Sequence, residues 1–138
     1  IVRKDHPLAG RRLTRRRFAE SHHVTVSPKG AKTGPIDAAL AVEGLKRKHI
    51  TTVTSFVVAA HLVATTDLVG SVPRALAKTM ARSLPIVLSE IPLDLPPFDV
   101  CVSWHDRHGN DPAHQWLRDQ IADAVGELTG NCSQDSYR

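Results

Sequence analysis

A strand–helix–strand pattern between residues 49 and 72 constrains the fold of this chain more than any other feature. His49–Thr54 is rich in β-branched residues without helical spacing, which predicts a buried strand. Ser55 is placed to cap a short apolar helix over Phe56–Thr66, and Leu68–Val72 predicts a second buried strand. This succession requires a parallel sheet with helices on its faces. Because ligands of such sheets bind beyond the carboxyl ends of the strands, the Ser55 junction marks the edge where function is expected.

The rest of the sequence extends this alternation of strands and helices in both directions. Apolar runs, caps and prolines predict a strand end at Ile1–Arg3, a short helix at Arg15–Glu20, a strand at His23–Ser27, a helix from about Thr33 to Gly44, a helix from Pro73 to Ala81, and strands at Leu84–Leu88 and Phe98–Trp104. Aromatic residues make up only 4% of the chain, so the core of this α/β fold is expected to be aliphatic.

The last predicted element is an amphipathic helix. Asp111 precedes it as an N-cap, and Pro112 suits its first position. Its apolar residues recur at helical spacing and predict one buried stripe, formed by Leu117, Ile121, Ala124, Val125 and Leu128. Cys101, in the apolar run before the helix, is also expected to be buried.

Basic residues are concentrated at the start of the chain. Residues 1–17 hold seven Lys or Arg and one acid, whereas the remainder holds 11 basic and 13 acidic residues. A basic arm can bind nucleic acid or an acidic partner. No aromatic residue is interleaved with these charges to stack on bases, so we interpret the arm as a solvated surface.

The composition also limits the compartment and the cofactors. Two cysteines, Cys101 and Cys132, have no metal-ligand spacing, which favours a reducing compartment, the cytoplasm, and no metal or other cofactor. No apolar run approaches the length of a membrane span, so no membrane partner is expected. The first residue is Ile1, and we interpret the chain as a fragment or a processed product.

A proline-rich segment, residues 91–97, divides the predicted elements. We interpret it as an extended crossing between two lobes, with the region around residues 20–22 as the matching crossing. On this interpretation residues 21–96 form one complete small α/β lobe with its crossing segments. Residues 1–20 and 97–130 form part of the other lobe, and residues 131–138 are a polar tail.

Several short motifs in order resemble one protein family. They are His6–Ala9 after a strand, Leu13–Thr14 with a short helix that ends in Phe18, His23–Ser27, Gly34–Asp37, the Val72–Arg74 turn, Leu95–Phe98, Trp104–His105 and Asp111–Arg118. Together they resemble the effector-binding domain of LysR-type transcriptional regulators, in the branch that senses aromatic compounds and flavonoids. The resemblance covers about residues 1–128.

The resemblance implies a type 2 periplasmic-binding-protein-like fold, with two α/β lobes and an effector cleft between them. It implies a small aromatic or carboxylated effector and no enzymatic activity. DNA would be bound only through an N-terminal helix-turn-helix domain that this chain lacks, within a homodimer or homotetramer of the full-length parent.

Candidate effector-binding residues follow from the two predicted helix starts and from the resemblance. Two helix N-termini, at Thr33–Gly34 and at Ser55, should open at the same sheet edge, and their free amides suit a carboxylate. Phe56 could contact a ring. The resemblance adds His61 on the same helix. Val100 and Val102 are expected to supply the floor from the second lobe.

Two alternatives to ligand sensing stay open at this stage. One is a small α/β enzyme, either hydrolase-like with Ser55 and His61, or metal-dependent with His105, His108 and His114. No nucleophile elbow or phosphate-binding glycine loop supports it, and the histidine spacing is loose for a metal. The other is a solute-binding module for transport with the same fold.

Overall fold

The computed structural model describes residues 1–28, 30–31, 33–97 and 101–129. The chain divides into two compact units, residues 1–96 and residues 97–138, and each is described by itself. The assignment of residues 1–20 and 97–130 to one lobe, and of 21–96 to the other, stays a prediction.

The first unit alternates strands and helices, close to the predicted boundaries. Its elements are β1 (Val2–Arg3), α1 (Arg15–Glu20), β2 (His22–Val26), α2 (Pro35–Val42), β3 (Lys48–Val53), α3 (Phe56–Thr65), β4 (Val69–Gly70), α4 (Arg74–Met80) and β5 (Ile86–Val87). Each helix begins where the sequence provides a cap or a proline, as at Thr14, whose hydroxyl accepts the Arg17 amide.

Three parallel strands form the central sheet, in the order β3-β2-β4. The register pairs Val26 with Val53 on one side of β2 and His23 with Val69 on the other. β1 and β5 form a separate antiparallel pair. The predicted parallel sheet is therefore confirmed, with β2 at its centre.

The two faces of the sheet carry separate apolar clusters. On one face Val24 packs with Ala60 and Val63 of α3, and with α4. On the other face Leu40 of α2 packs with Phe18, Ala19, Val2 and Val69. Consecutive residues of a strand point to opposite faces, so β2 has a helical layer on each side. Helices α2 and α3 therefore lie on opposite faces.

His23 is a polar residue within this core. Its side chain is fully buried with its ring 4.7 Å from that of Phe18. Nε2 donates to the Phe18 carbonyl over 2.7 Å, and burial lowers the pKa of His23 to about 4. The imidazole is therefore neutral in the folded chain at physiological pH.

The second unit contains a 3₁₀ helix, Asp106–His108, and the long helix α5, Pro112–Thr129. Asp111 caps α5 as predicted, because its Oδ1 accepts the amides of Ala113 and His114. Residues 98–100 of the predicted strand Phe98–Trp104 lie outside the described residues. Cys101–Trp104 is not a strand and is exposed, so this part of the prediction is wrong.

The predicted burial of the α5 stripe is also wrong. Leu117, Ile121 and Val125 are exposed by 48%, 37% and 40%, and Ala124 is exposed as well. The side chain of Leu128 is not among those that the structure describes. Cys101 is exposed instead of buried. A helical period determines which residues share a face, but the rest of the fold decides whether that face is covered.

Candidate functional site

Strands β2 and β3 end side by side at the carboxyl edge of the sheet. Val26 is the register partner of Val53, and the Ser27 amide donates to the Val53 carbonyl over 2.8 Å. From this point the chain leaves β2 towards α2 on one face and β3 towards α3 on the other. Neighbouring parallel strands whose helices diverge in this way form a topological switch point, where open α/β sheets bind ligands.

Helix α3 begins at this edge with free backbone donors. Ser55 is its N-cap, and the Ser55 hydroxyl accepts the Val57 amide over 3.2 Å. Helix geometry leaves the amides of Phe56 and Val58 without an acceptor inside the helix. No acidic residue lies in the first turn of α3, so the positive end of the helix is not neutralised by its own sequence. The Phe56 side chain is 36% exposed beside these amides.

Helix α2 begins differently, because an acid of its own occupies its start. Gly34 is the N-cap, and the Gly34 amide donates to Asp37 Oδ2 over 2.9 Å. Pro35 has no amide hydrogen to offer. Thr33 is exposed beside the cap. Ligand binding at Thr33 and Gly34 stays a prediction, and the Gly34 amide already has an acceptor within the chain.

Asp37 also joins α2 to β3 and β2. Its carboxylate accepts two hydrogen bonds from Arg47, Nε to Oδ1 over 2.9 Å and Nη2 to Oδ2 over 2.6 Å. It accepts a third from His49 Nε2 over 2.9 Å, and His49 Nδ1 lies 2.7 Å from the Thr25 hydroxyl. Burial alone would raise the pKa of Asp37, but the hydrogen bonds and charge of Arg47, with the bonds from Gly34 and His49, lower it to about 2.

Sequence reasoning missed this network. Arg47 lies among basic residues between α2 and β3, a pattern typical of a solvated link, yet its side chain is only 4% exposed. Gly34 and Asp37 have the spacing of an N-cap and the third helical residue, a signal that could have identified the helix-capping role of Asp37. Its partners Arg47 and His49 lie 10 and 12 residues further on. No local pattern pairs them.

His61 lies on the outer side of α3. Ala59, Ala60 and Val63 form the buried side of the helix, whereas Val57 and His61 are exposed. His61 Nδ1 lies 2.9 Å from the Val57 carbonyl and donates to it, which leaves Nε2 as the acceptor nitrogen. A contact between His61 and an effector stays a prediction.

The same contacts answer the hydrolase-like alternative. The Ser55 hydroxyl caps α3 and the His61 ring bonds to the Val57 carbonyl, so each side chain bonds to the backbone of its own helix. A nucleophile and its general base would have to bond to each other.

The two remaining candidates belong to the second unit. Val100 lies outside the described residues. Val102 is 43% exposed. A contribution of these two residues to the floor of the site therefore stays a prediction.

Two open grooves of the first unit lie away from the α3 start. One, of about 350 Å³, is lined by Arg3, Asp5, Ala64–Asp67 and Pro85, near the last turn of α3. The other, of about 920 Å³, is lined by Gly10–Arg15, Leu88–Glu90 and Pro92. Across the described residues, every helix is too short or too polar to cross a membrane.

Comparison with known proteins gives a consistent result. The family model for the LysR substrate binding domain matches residues 1–126. The HTH-type transcriptional regulator SyrM of Rhizobium meliloti (strain 1021) is 34% identical over 126 residues, which cover 91% of this chain and 39% of SyrM. The HTH-type transcriptional activator NahR of Pseudomonas putida is 31% identical over 123 residues, 89% of this chain and 41% of NahR.

A solved structure from Vibrio parahaemolyticus, described as that of a transcriptional regulator, has the same fold. Its TM-score is 0.77 at 25% identity, over 94% of this chain and 60% of that protein. The chain spans about two fifths of the length of the two curated relatives.

Proposed function

The chain belongs to the LysR substrate-binding domain family, and from this membership we propose that it is the ligand-sensing domain of a LysR-type transcriptional regulator. The predicted family and the type 2 periplasmic-binding-protein-like fold are confirmed. The family consists of domains of transcriptional regulators and is not an enzyme family, which removes the enzymatic alternative.

The proposed ligand is a small aromatic compound that carries a carboxylate. One observation supports this class most strongly: the acid-free start of α3, where unbonded amides and the half-exposed ring of Phe56 lie together at the switch point. The positive end of a helix attracts an anion, and an aromatic ring packs favourably against a second ring. The carboxylate would accept from the amides of Phe56 and Val58, and the ligand ring would contact Phe56.

Binding would act through populations of conformers. A ligand that binds one conformation of the domain more tightly shifts the equilibrium towards that conformation by the difference in affinity. In the full-length parent, a helix-turn-helix domain outside this chain would bind DNA and respond to the shift. We place that parent in the cytoplasm, as a homodimer or homotetramer.

The proposed site can be tested by NMR on the 138-residue chain. Benzoate and ring-substituted benzoates would be titrated against the amide spectrum, with benzamide as the uncharged analogue. The largest shift changes are expected at the amides of Phe56, Val57 and Val58. Benzamide should produce much smaller changes because it lacks the charge.

Matched variants make this test specific. Phe56→Ala should weaken benzoate binding by about tenfold, the loss expected for an aromatic contact of roughly 1.4 kcal/mol. Val42→Ala shortens an apolar side chain that is 87% exposed at the last residue of α2 and should change nothing at α3. Shift changes confined to the groove around Arg11 and Arg12, or an unchanged affinity in Phe56→Ala, would contradict the proposed site.

A further inference from the structure

Three possible metal ligands converge at the start of α5. His108 ends the 3₁₀ helix, Asp111 is the N-cap of α5, and His114 lies in its first turn. One ligand atom from each lies within 4.8 Å of the other two, and all three side chains are half-buried. None of the three belongs to the proposed ligand site at α3.

The local fold explains why these residues meet. The spacing of three residues between His108 and Asp111, and again between Asp111 and His114, brings the side chains to one side of the turn. The two imidazole rings stack with their centroids 4.2 Å apart and their planes at 29°. Asp111 uses Oδ1 to cap the helix, and no hydrogen bond from the described residues reaches Oδ2.

Arg118 holds the loop that carries His108 in place. Its Nη1 and Nη2 donate to the carbonyls of His108 and Gly109, each over 3.2 Å. Its guanidinium carbon also lies 4.5 Å from the centre of the Trp104 ring. The backbone of the loop is therefore fixed to the second turn of α5, and the stacked rings must turn to direct their nitrogen lone pairs at a common ion.

The donor set suits a particular class of ion. Two imidazoles and one carboxylate are ligands of Zn²⁺ and its neighbours in the first transition series, while Mg²⁺ and Ca²⁺ prefer oxygen alone. Tetrahedral ligands about 2.0–2.1 Å from Zn²⁺ lie roughly 3.3 Å from each other, and the three ligand atoms here lie within 4.8 Å of one another. The charge of Asp111 offsets the unfavourable effect of a cation at a helix N-terminus. Arg107 Nε donates to His108 Nε2 over 2.9 Å, and an ion at that nitrogen would take its place.

We propose that His108, Asp111 and His114 form a binding site for one Zn²⁺ ion, completed by water. The ion would join the 3₁₀ turn to the first turn of α5 and would stabilise the second unit. The proposal is independent of the effector site, because the two sites share no residue.

The test is a titration of the untagged, metal-free 138-residue chain with Zn²⁺ by calorimetry, repeated with Co²⁺ by absorption spectroscopy. We expect one ion per chain and tetrahedral Co²⁺ bands without a thiolate charge-transfer band. Replacing a residue that only supports a metal ligand typically lowers metal affinity by about 10–100-fold. Replacing a ligand itself, as in His108→Gln or His114→Gln, should therefore lower Zn²⁺ affinity at least about tenfold.

Two further variants separate ligation from structure. Asp111→Asn keeps an efficient N-cap but removes the charged ligand, so it should lose Zn²⁺ affinity while its circular dichroism stays unchanged. His22→Ala removes an exposed histidine of β2 and should leave the affinity unchanged. Full affinity in the His108→Gln/His114→Gln double variant, or a thiolate band that assigns the ion to cysteine, would overturn the proposal.

Discussion

The helices that follow β2 and β3 start in different ways. The first turn of α2 contains Asp37, which accepts the Gly34 amide and neutralises the positive end of the helix. The first turn of α3 contains no acid, and its cap is the neutral hydroxyl of Ser55. The two helix starts thus have opposite properties: the start of α2 is closed by the chain itself, while the start of α3 is open to an external anion.

This difference indicates a division of labour at the edge. The buried ion pair of Asp37 and Arg47 ties α2 to the strand that precedes α3. It thereby holds the start of α2 against the beginning of β3. We infer that α2 braces β3, the strand that α3 follows, and that α3 supplies the binding groups, an arrangement that agrees with the preorganisation expected of a ligand site.

The largest expected loss of stability comes from removing the partner of Asp37 at the start of α2. Arg47→Ala leaves the Asp37 carboxylate without its bidentate partner, and breaking a buried pair typically costs about 3–5 kcal/mol of unfolding free energy. Urea denaturation of the 138-residue chain would measure the loss. Lys46→Ala, next to it and exposed, should change stability by less than about 0.5 kcal/mol. Equal stability of the two variants would refute the structural role of the pair.

A smaller loss of stability is expected at low pH, where protonation removes the charge of Asp37 at the start of α2. The pKa of Asp37 in the folded chain, about 2, is below its ordinary value of 3.8. Its contribution to stability is therefore complete above about pH 4 and is lost as the pH falls towards 2.

A comparison of the wild-type chain with Asp37→Asn isolates this contribution. The gap between their urea midpoints should be constant from pH 7 to pH 4 and should narrow between pH 4 and pH 2. A gap that narrows only above pH 5 would assign the titration to another group.

The smallest effect on stability is expected at the open end. Ser55→Ala removes the cap of α3 and should cost about 1 kcal/mol. Ser55→Asp restores an efficient cap and should retain wild-type stability, but it places an acid where α2 has one. Benzoate binding should then be lost although the fold is intact. Binding that survives in Ser55→Asp would show that the amides of α3 do not hold the anion.

Much of the first unit follows from local sequence signals. Residues such as Thr14, Ser55 and Pro73 determine where helices begin, and β-branched runs determine the strands, so the order of elements and the parallel sheet were predictable. The network around Asp37 could not be predicted in this way, because Asp37 and Arg47 meet only after α2 packs beside β3.

The second unit shows the other limit of sequence reasoning. The apolar period of α5 correctly predicted a helix but not the exposure of Leu117 and Ile121. Likewise, the spacing of His108, Asp111 and His114 looked loose along the chain, and only the turn before α5 brings the three side chains together. Periodicity and spacing describe one element at a time, whereas burial and ligand geometry depend on how elements meet.

The divergence of the chain at the end of β2 and β3 has a consequence for engineering. The segment from Ser27 to Gly34 and the short link at Ser55 are continuous with different layers of the protein, so either can be lengthened or exchanged without rebuilding the layer behind the other. Exchanging these two segments with those of related family members on the same framework would show whether they determine which ligand the proposed site accepts.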